Sequence, residues 1–411
     1  MAELSVLDAD PSDITLLRPR GSNQVGMSQF NERVVLQAIR LHGSMPKADL
    51  ARLTNLSTQT ISLIINRLLD EGRVLKLAPL RGRVGQPSVP MALNPDGAFF
   101  IGIKIGRRSL DLLLLDFVGQ VRERLSSSYH FPDPDTLFDT IEAQLKTMCA
   151  RLNATQLSRL SGIGIAAPLA LGGWQKLLDI APQQAYKWDH IDIKARVQAM
   201  TALPVEFAKD TAAACVAELV AGRGRSISSF LYVYVGTFIG GGLVINSHLH
   251  GGVNGNAGAI GSLPLGQARD AKSRPEQLLS AASLFNLEQL FAAAGLDESA
   301  SYDARALQAP WLTHTHAWLD DAASAIALAI NGAACLLDLE GVIIDGSSDG
   351  SLLEKLLRAV EAALDYYSWE GVSRPLVLAG TIGADARAIG GALLPLYANF
   401  APDRDLFLKS M

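Results

Sequence analysis

The sequence predicts an α/β protein of two unlike parts: a small module of helices and a hairpin, followed by a larger body of alternating strands and helices. Three observations predict it. The chain has 411 residues, too many for one typical domain. Between Arg18 and Asn94 there are eleven Lys or Arg against four Asp or Glu, a net charge of +7, whereas the whole chain carries −5, which leaves −12 for the remainder. From Ala98 onward, apolar runs of strand length alternate with longer segments of helical period.

Composition narrows the class further. Apolar residues make up 49% of the chain, enough for a large core. No stretch has 18 uninterrupted apolar residues, so no membrane partner is expected. The richest run, 322–344, is broken by Asn331, Gly332, Asp338, Glu340 and Gly341, and reads as a buried helix leading into a buried strand. The N-terminus is acidic and polar (Glu3, Asp8, Asp10, Asp13), without an apolar signal core. Residues 1–27 are expected to form a flexible arm. Cys149, Cys215 and Cys335 lie far apart and lack metal-ligand spacing, so they read as reduced core residues of a cytoplasmic protein. The pairs His248-x-His250 and His314-x-His316 have no third ligand nearby, and no metal or cofactor is expected.

Residues 28–95 form the module. "SQFNERVVLQAIRLHG" has helical period and stops at Gly43; "PKADLARLT" makes a short second helix with Pro46 in its first turn. In "NLSTQTISLIINRLLDEG", Ser57 is an N-cap, and Ile61, Ile64, Ile65, Leu68 and Leu69 share one face. Gly72 supplies the left-handed stop. The opposite face opens with Thr58, Gln59, Thr60 and Ser62, short donors and acceptors suited to base edges in a major groove. Arg67, one to two turns on, is placed to reach phosphate. "RVLKLAP" and "PSVPMALN" read as a hairpin, with Arg81 and Arg83 on its tip "LRGRVGQ". A basic wing of that kind lies on the backbone or in the minor groove. The bland alternative is a helical bundle for protein contacts. The polar helix start, the basic wing and the local charge together favour a winged helix-turn-helix on double-stranded operator DNA.

In the body, strands are expected at "FFIGIKIG", "LDLLLLDF", "LSGIGIAAP", "FLYVYVG", "GGLVINS", "GVIIDG" and "PLVLAG", and helices at 136–152, 210–222, 278–295, 317–337 and 351–367. The alternation suggests two related lobes with a cleft between them.

Seven segments carry a resemblance: "GSNQVGMSQFNERVVLQAIRLHG", "LSTQTISLIINRLLDEG", "GIGIAAPLA", "LPVEFAKDTAAACVAE", "GTFIGGGLVINSHLHGGVNGNAGAIGSLPLG", "LLSAASL" and "ADARAIGGALLPLY". In this order, from Gly21 to Tyr397, they resemble the ROK family, which joins sugar kinases to winged-helix sugar-responsive repressors. The resemblance implies an actin-like (ribonuclease H-like) two-lobed ROK domain over 96–411, hinged near 207 and 385, in a dimer or tetramer.

The departures from that family carry functional information. Its kinases cradle ATP phosphates in an acid–small–Gly–Gly–Thr turn; here stand Lys104, Ile105, Gly106, Arg107 and Arg108, whose bulky side chains would fill phosphate space. The second Gly-rich turn, Gly236 to Gly242, survives. The family's sugar-gripping Asn–Asp pair matches Lys209 and Asp210, and its Gly-Glu-x-Gly-His stretch matches Gly258, Ala259, Ile260, Gly261 and Ser262. The segment matching its zinc site, "GQARDAKSRPEQ", has no cysteine. A family glutamate that touches sugar matches Glu276. The resemblance therefore implies an effector site of Lys209, Asp210, Asn254, Asn256, Ser262 and Glu276. Either Lys209 adds a cation for a modified or anionic sugar, or it pairs with Asp210 in a remnant pocket.

The expected function is a DNA-binding transcriptional regulator, a repressor of carbohydrate metabolism genes, controlled by a sugar or sugar derivative in a degenerate kinase cleft. It is not expected to be an enzyme. The rivals are an ATP-dependent sugar kinase with an added DNA-binding domain, and a ligand-free regulator controlled by a protein partner.

Overall fold

The computed structural model describes residues 24–79, 88–173, 180–268 and 274–402. In the module, α1 (Gln24–His42) begins four residues ahead of Ser28 and ends at Gly43, whose φ of +75° suits glycine. A short strand β1 (Ser44–Pro46) leads to α2 (Lys47–Thr54), with Pro46 at its N-cap. α3 (Thr58–Asp70) is capped by Ser57, whose Oγ accepts from the Thr60 N–H at 3.1 Å, and it buries Ile61, Ile64, Ile65 and Leu68. β2 (Val74–Lys76) and β3 (Pro90–Leu93) form the hairpin; β1 joins the other edge of β3, making an antiparallel sheet ordered β1-β3-β2. The tip with Arg81 and Arg83 lies outside the described residues.

The first lobe starts with an antiparallel meander, β4 (Phe99–Ile105), β5 (Ser109–Asp116) and β6 (Val121–Ser128). After α4 (Pro134–Ala150) and α5 (Ala154–Ser158), β7 (Leu160–Ala167) lies parallel to β4. After α6 (Pro182–Tyr186) and α7 (Ile193–Gln198), β8 (Val205–Lys209) lies parallel to β7. α8 (Asp210–Ala221) crosses to the second lobe, whose meander is β9 (Phe230–Val235), β10 (Gly240–Ile245) and β11 (His248–His250). There follow α9 (Leu278–Ala282), α10 (Leu284–Ala293), the long α11 (Leu312–Leu337), β12 (Gly341–Gly346), α12 (Gly350–Leu364), β13 (Leu376–Ala379) and α13 (Ala386–Phe400). β12 is parallel to both β9 and β13.

The two sheets, β6-β5-β4-β7-β8 and β11-β10-β9-β12-β13, have the same topology. Each lobe therefore presents an equivalent hairpin turn, β4–β5 in one and β9–β10 in the other. Among the described residues α11 alone is long and apolar enough to cross a membrane, and half of its apolar window is buried inside the protein. Its partners are α12 and α9, as expected of a core helix.

Two sequence expectations need correction. Cys335 is exposed near the end of α11 and Cys149 is only half-buried, so Cys215 alone is a core residue. The strands β6, β8 and β11 carry no strand signal in the sequence. All three are sheet edges, and β6 alternates exposed and half-buried positions, so none forms a continuous apolar run.

α13 lies unusually close to its neighbours. A Cβ on Gly390 would meet the Ala213 carbonyl oxygen at 1.8 Å, one on Gly164 the Gly391 oxygen at 1.9 Å, and one on Gly102 the Ala388 oxygen at 2.1 Å. All three obstacles are backbone. By contrast, exposed Gly332 in α11 has nothing within 4 Å of such a Cβ. Gly390→Ala should lower stability by about 3 kcal/mol through overpacking. Gly332→Ala should raise it by about 0.5–1 kcal/mol through helix propensity. Urea denaturation of the two variants checks both signs.

Candidate functional site

The DNA-reading surface predicted on the module is the exposed start of α3. Thr58 and Gln59 are exposed; Thr60 and Ser62 are half-buried. The Thr60 hydroxyl lies 2.8 Å from Ser57 Oγ, so these two side chains build the cap, and Thr58, Gln59 and Ser62 remain to read an edge. Leu63, one turn beyond Gln59, is 67% exposed. In the sequence it blends into the apolar pattern of α3. An exposed aliphatic group there is suited to a thymine methyl. Arg67 is ion-paired with Glu32 of α1, so contact with a phosphate would require exchanging that partner. Lys47, at the start of α2, donates to Asn66 Oδ1 at 3.2 Å.

In the body, the β4–β5 turn carries the residues that depart from a phosphate cradle. The Gly106 N–H closes the turn on the Ser109 carbonyl at 2.9 Å. Lys104 folds back over Gly106, where a Cβ would meet its Cε at 2.7 Å, and its Nζ donates to Asp111 Oδ2 at 2.8 Å and to Ser109 Oγ. Arg107 donates to the Leu171 and Ala170 carbonyls at 2.7 and 3.0 Å, and its guanidinium lies 5.0 Å from the Phe238 ring centroid in the opposite lobe's turn. Arg108 reaches Glu288 of α10 at 3.0 Å. Glu288 also accepts from the Tyr302 hydroxyl at 2.7 Å. The turn is thus filled by its own side chains, and two of them engage the second lobe. Glu288, 180 residues from its partner, carries no local signal in the sequence.

Charge in this region is tightly balanced. Burial, and then the Arg387 guanidinium, push the Lys104 ammonium down to about 8. Burial works to raise Asp111, but the Lys104 charge and hydrogen bonds from Lys104, Ser126 and Ser109 outweigh it and hold the carboxyl below its ordinary value. Burial lowers Arg107 to about 10, which leaves it cationic at neutral pH, with Asp210 opposing the shift.

The predicted effector residues are only partly brought together. Lys209, Asp210, Asn256 and Ser262 line one cavity of about 230 Å³ between the lobes, with Arg107 and Phe238 on its wall. Asn254 is exposed and does not line it. Glu276 lines a separate cavity with Ser280 and Asp321, because the chain after Ser262 turns away through the Pro264–Gln277 bridge. The cation in ion-pair range of Asp210 is Arg387 at 3.9 Å, a residue of α13 that the sequence did not point to. Lys209 is depressed by burial against the pull of Asp210. A four-ligand zinc site does not fit the matching segment, which offers neither cysteine nor histidine, and Ser262 stands where a ligand histidine would be needed.

Two like-folded α/β lobes around a cleft, led by three helices and a hairpin, define a two-lobed α/β body carrying a winged helix-turn-helix. The chain belongs to the ROK family, which it matches over residues 100–397, and residues 31–74 match the winged helix-turn-helix DNA-binding family. The uncharacterized protein y4fQ of Sinorhizobium fredii is 26% identical over 377 residues, covering 90% of this chain and 92% of its own. The xylose repressor of Bacillus subtilis is 26% identical over 248 residues, 59% of this chain and 62% of the repressor. A solved ROK family transcriptional regulator, a homologue of the E. coli MLC protein, superposes with a TM-score of 0.67 at 20% identity, covering 93% of this chain and 98% of that one. A ROK family glucokinase from Streptomyces griseus, solved with glucose and AMPPNP, gives 0.58 at 20% identity over 72% and 99%. These superpositions establish the shared fold.

The buried Lys104 makes stability depend on pH in a defined direction. The unfolded chain keeps the lysine proton up to about 10.5, whereas the folded chain releases it near 8. Between those values the unfolded state binds the extra proton, so stability rises with pH. From pH 8 to 10.5 the unfolding free energy of the parent should gain on the order of 3 kcal/mol relative to Lys104→Met. Urea titrations of both proteins across that range measure the difference, which should be flat if Lys104 is solvated.

Proposed function

We propose that this protein is a DNA-binding repressor of carbohydrate metabolism genes, acting in the cytoplasm, whose cleft holds a sugar-type effector and does not transfer phosphate. One observation carries the reading: behind a winged helix-turn-helix, the turn that would have to cradle a triphosphate is filled by Lys104, Arg107 and Arg108, each held by protein partners. Phosphoryl transfer depends on backbone donors and metal-assisted positioning around the phosphates. A turn packed with its own cations offers neither. Asp210, suited to act as a base on a sugar hydroxyl, then has no donor to work with.

The neighbouring cavity keeps what a sugar needs: acceptor and donor groups from Asp210, Lys209, Asn256 and Ser262, with Phe238 among its apolar lining. The xylose repressor among the relatives supports a carbohydrate as effector. Lys209 suits a modified or anionic sugar. A hinge is expected near 207, within β8, and near 385, where the short turn Gly383–Asp385 precedes α13. A homodimer or tetramer would present two α3 helices to a near-palindromic operator, with half-sites about one or two helical turns apart.

The test separates reading from gripping. Gln59→Ala should relax base preference at one or two operator positions by about 1–3 kcal/mol while leaving nonspecific binding intact. Arg83→Ala should weaken binding to every sequence and reduce the salt slope by about 1. Fluorescence anisotropy over a series of salt concentrations reads both. Failure of the chain to bind any duplex at low ionic strength, or sugar-dependent ATP hydrolysis by the purified protein, would refute the proposal.

A further inference from the structure

The effector cavity carries an unbalanced charge. Its ionisable lining is two cations, Lys209 and Arg107, against one carboxylate, Asp210. Asp210 is already committed: its Oδ1 accepts from the Thr211 N–H at 2.9 Å, and its Oδ2 stands 3.9 Å from the Arg387 guanidinium of α13. The two cations are held differently. Arg107 donates to the Leu171 and Ala170 carbonyls and rests on Phe238, so its charge sits in the wall while its fork is engaged. Lys209, half-buried at the end of β8, has no ion pair and no side-chain hydrogen bond among the described residues. Burial depresses its ammonium, and Asp210 opposes that shift without pairing with it. Two further polar side chains on the lining, the Asn256 amide and the Ser262 hydroxyl, also lack a protein partner among the described residues. Leu169, Phe238, Ile239 and Leu279 supply apolar surface, and Glu276, which could have restored the balance, lines another cavity.

We infer that the effector is a sugar acid, a polyhydroxy compound with one carboxylate, which Lys209 takes while Asp210, Asn256 and Ser262 take its hydroxyls. The inference rests on the effector reading above and adds the charge of the ligand. A neutral sugar would leave a half-buried ammonium without a counter-charge, whereas a carboxylate gives it a charge-assisted hydrogen bond. One negative charge is what the lining can hold. An ammonium is a point charge and meets a single carboxylate. A second negative charge would stand beside Asp210 with the Arg107 donors already engaged. Asp210 is an acceptor only, so it selects hydroxyl donors and turns the carboxylate of the ligand toward Lys209.

Isothermal titration of the full chain, without DNA, tests this on matched pairs: glucuronate with glucose, galacturonate with galactose, and xylonate with xylose. In at least one pair the acid should bind about tenfold or more tighter than its neutral partner, the effect of one charge-assisted hydrogen bond. Lys209→Met should erase that preference and bring acid and neutral sugar to the same affinity. Added salt should weaken binding of the acid and leave the neutral sugar unchanged, and this decides the matter should Lys209→Met fail to fold. The inference is overturned, with the effector reading left standing, if in every pair the neutral sugar binds as tightly as its acid, or if Lys209→Met keeps the preference. Binding of none of the probes would overturn the effector reading itself, and this inference with it.

Discussion

The closeness of α13 to the backbones of β4, β7 and α8 is the constraint on which the rest of the body depends. Glycine at 102, 164 and 390 removes the Cβ atoms that would hold the helix away. Pro395 adds to this from inside the helix. It has no N–H to bond the Gly391 carbonyl, and that carbonyl packs directly onto Gly164. Side-chain packing can yield by rotamer changes, whereas backbone against backbone can only move as a unit. The helix therefore behaves as a strut between two places of different chemistry. At its start Arg387 faces the cleft. At its end Tyr397 hydrogen-bonds Gln37 of α1, and Phe400 packs edge-on against Phe117 at 4.9 Å beneath the Arg73 guanidinium. One apolar cluster runs without interruption from Val35 and Ile39 of the module to Leu393 and Leu396 of α13.

The cleft itself is held by charges that sit where a phosphate cradle would need empty space. Arg108 reaches Glu288, and Arg107 rests on Phe238, each contact running from the first lobe to the second. Burying an ion pair is costly unless its remaining hydrogen-bonding capacity is satisfied, and Glu288 meets that condition through Tyr302. These contacts link the lobes through the protein's own side chains. The relative position of the lobes is therefore set partly by them, and a guest in the effector cavity must work against or with them.

Much of this was legible in the sequence, and the omissions have physical reasons. The module was readable because its helices are amphipathic and its cap and stop residues are local: Ser57, Gly43 and Gly72 act within a few residues of where they sit. The central strands were readable because both of their faces are buried. α13 has no helical signature in the sequence, since Gly390, Gly391 and Pro395 are poor helix formers and packing supplies what propensity lacks. Arg387 is hidden in the sequence for the same reason, and nothing local distinguishes Glu288, an acid whose partner is distant in the chain. Glu276 was assigned to the effector cavity by its place in a motif, and the path of the chain after Ser262 carries it elsewhere.

In the proposed regulator, these features bear on how a small molecule could alter DNA binding. A ligand shifts a conformational balance only by the difference in its affinity for the two states. Asp210 and Lys209 stand at the junction of β8 and α8, while Arg387 belongs to α13, so a guest touching both groups is sensitive to the angle between those elements. Because α13 cannot slide past β4 and β7 without backbone collisions, a change in that angle has to appear as a rigid displacement at Tyr397 and Phe400, where α1 is anchored. Such a coupling would be reciprocal: a duplex that favoured one setting of α13 would change the affinity of the cleft by the same factor. In the proposed regulator, DNA affinity and cleft affinity would then be two readings of a single strut's position.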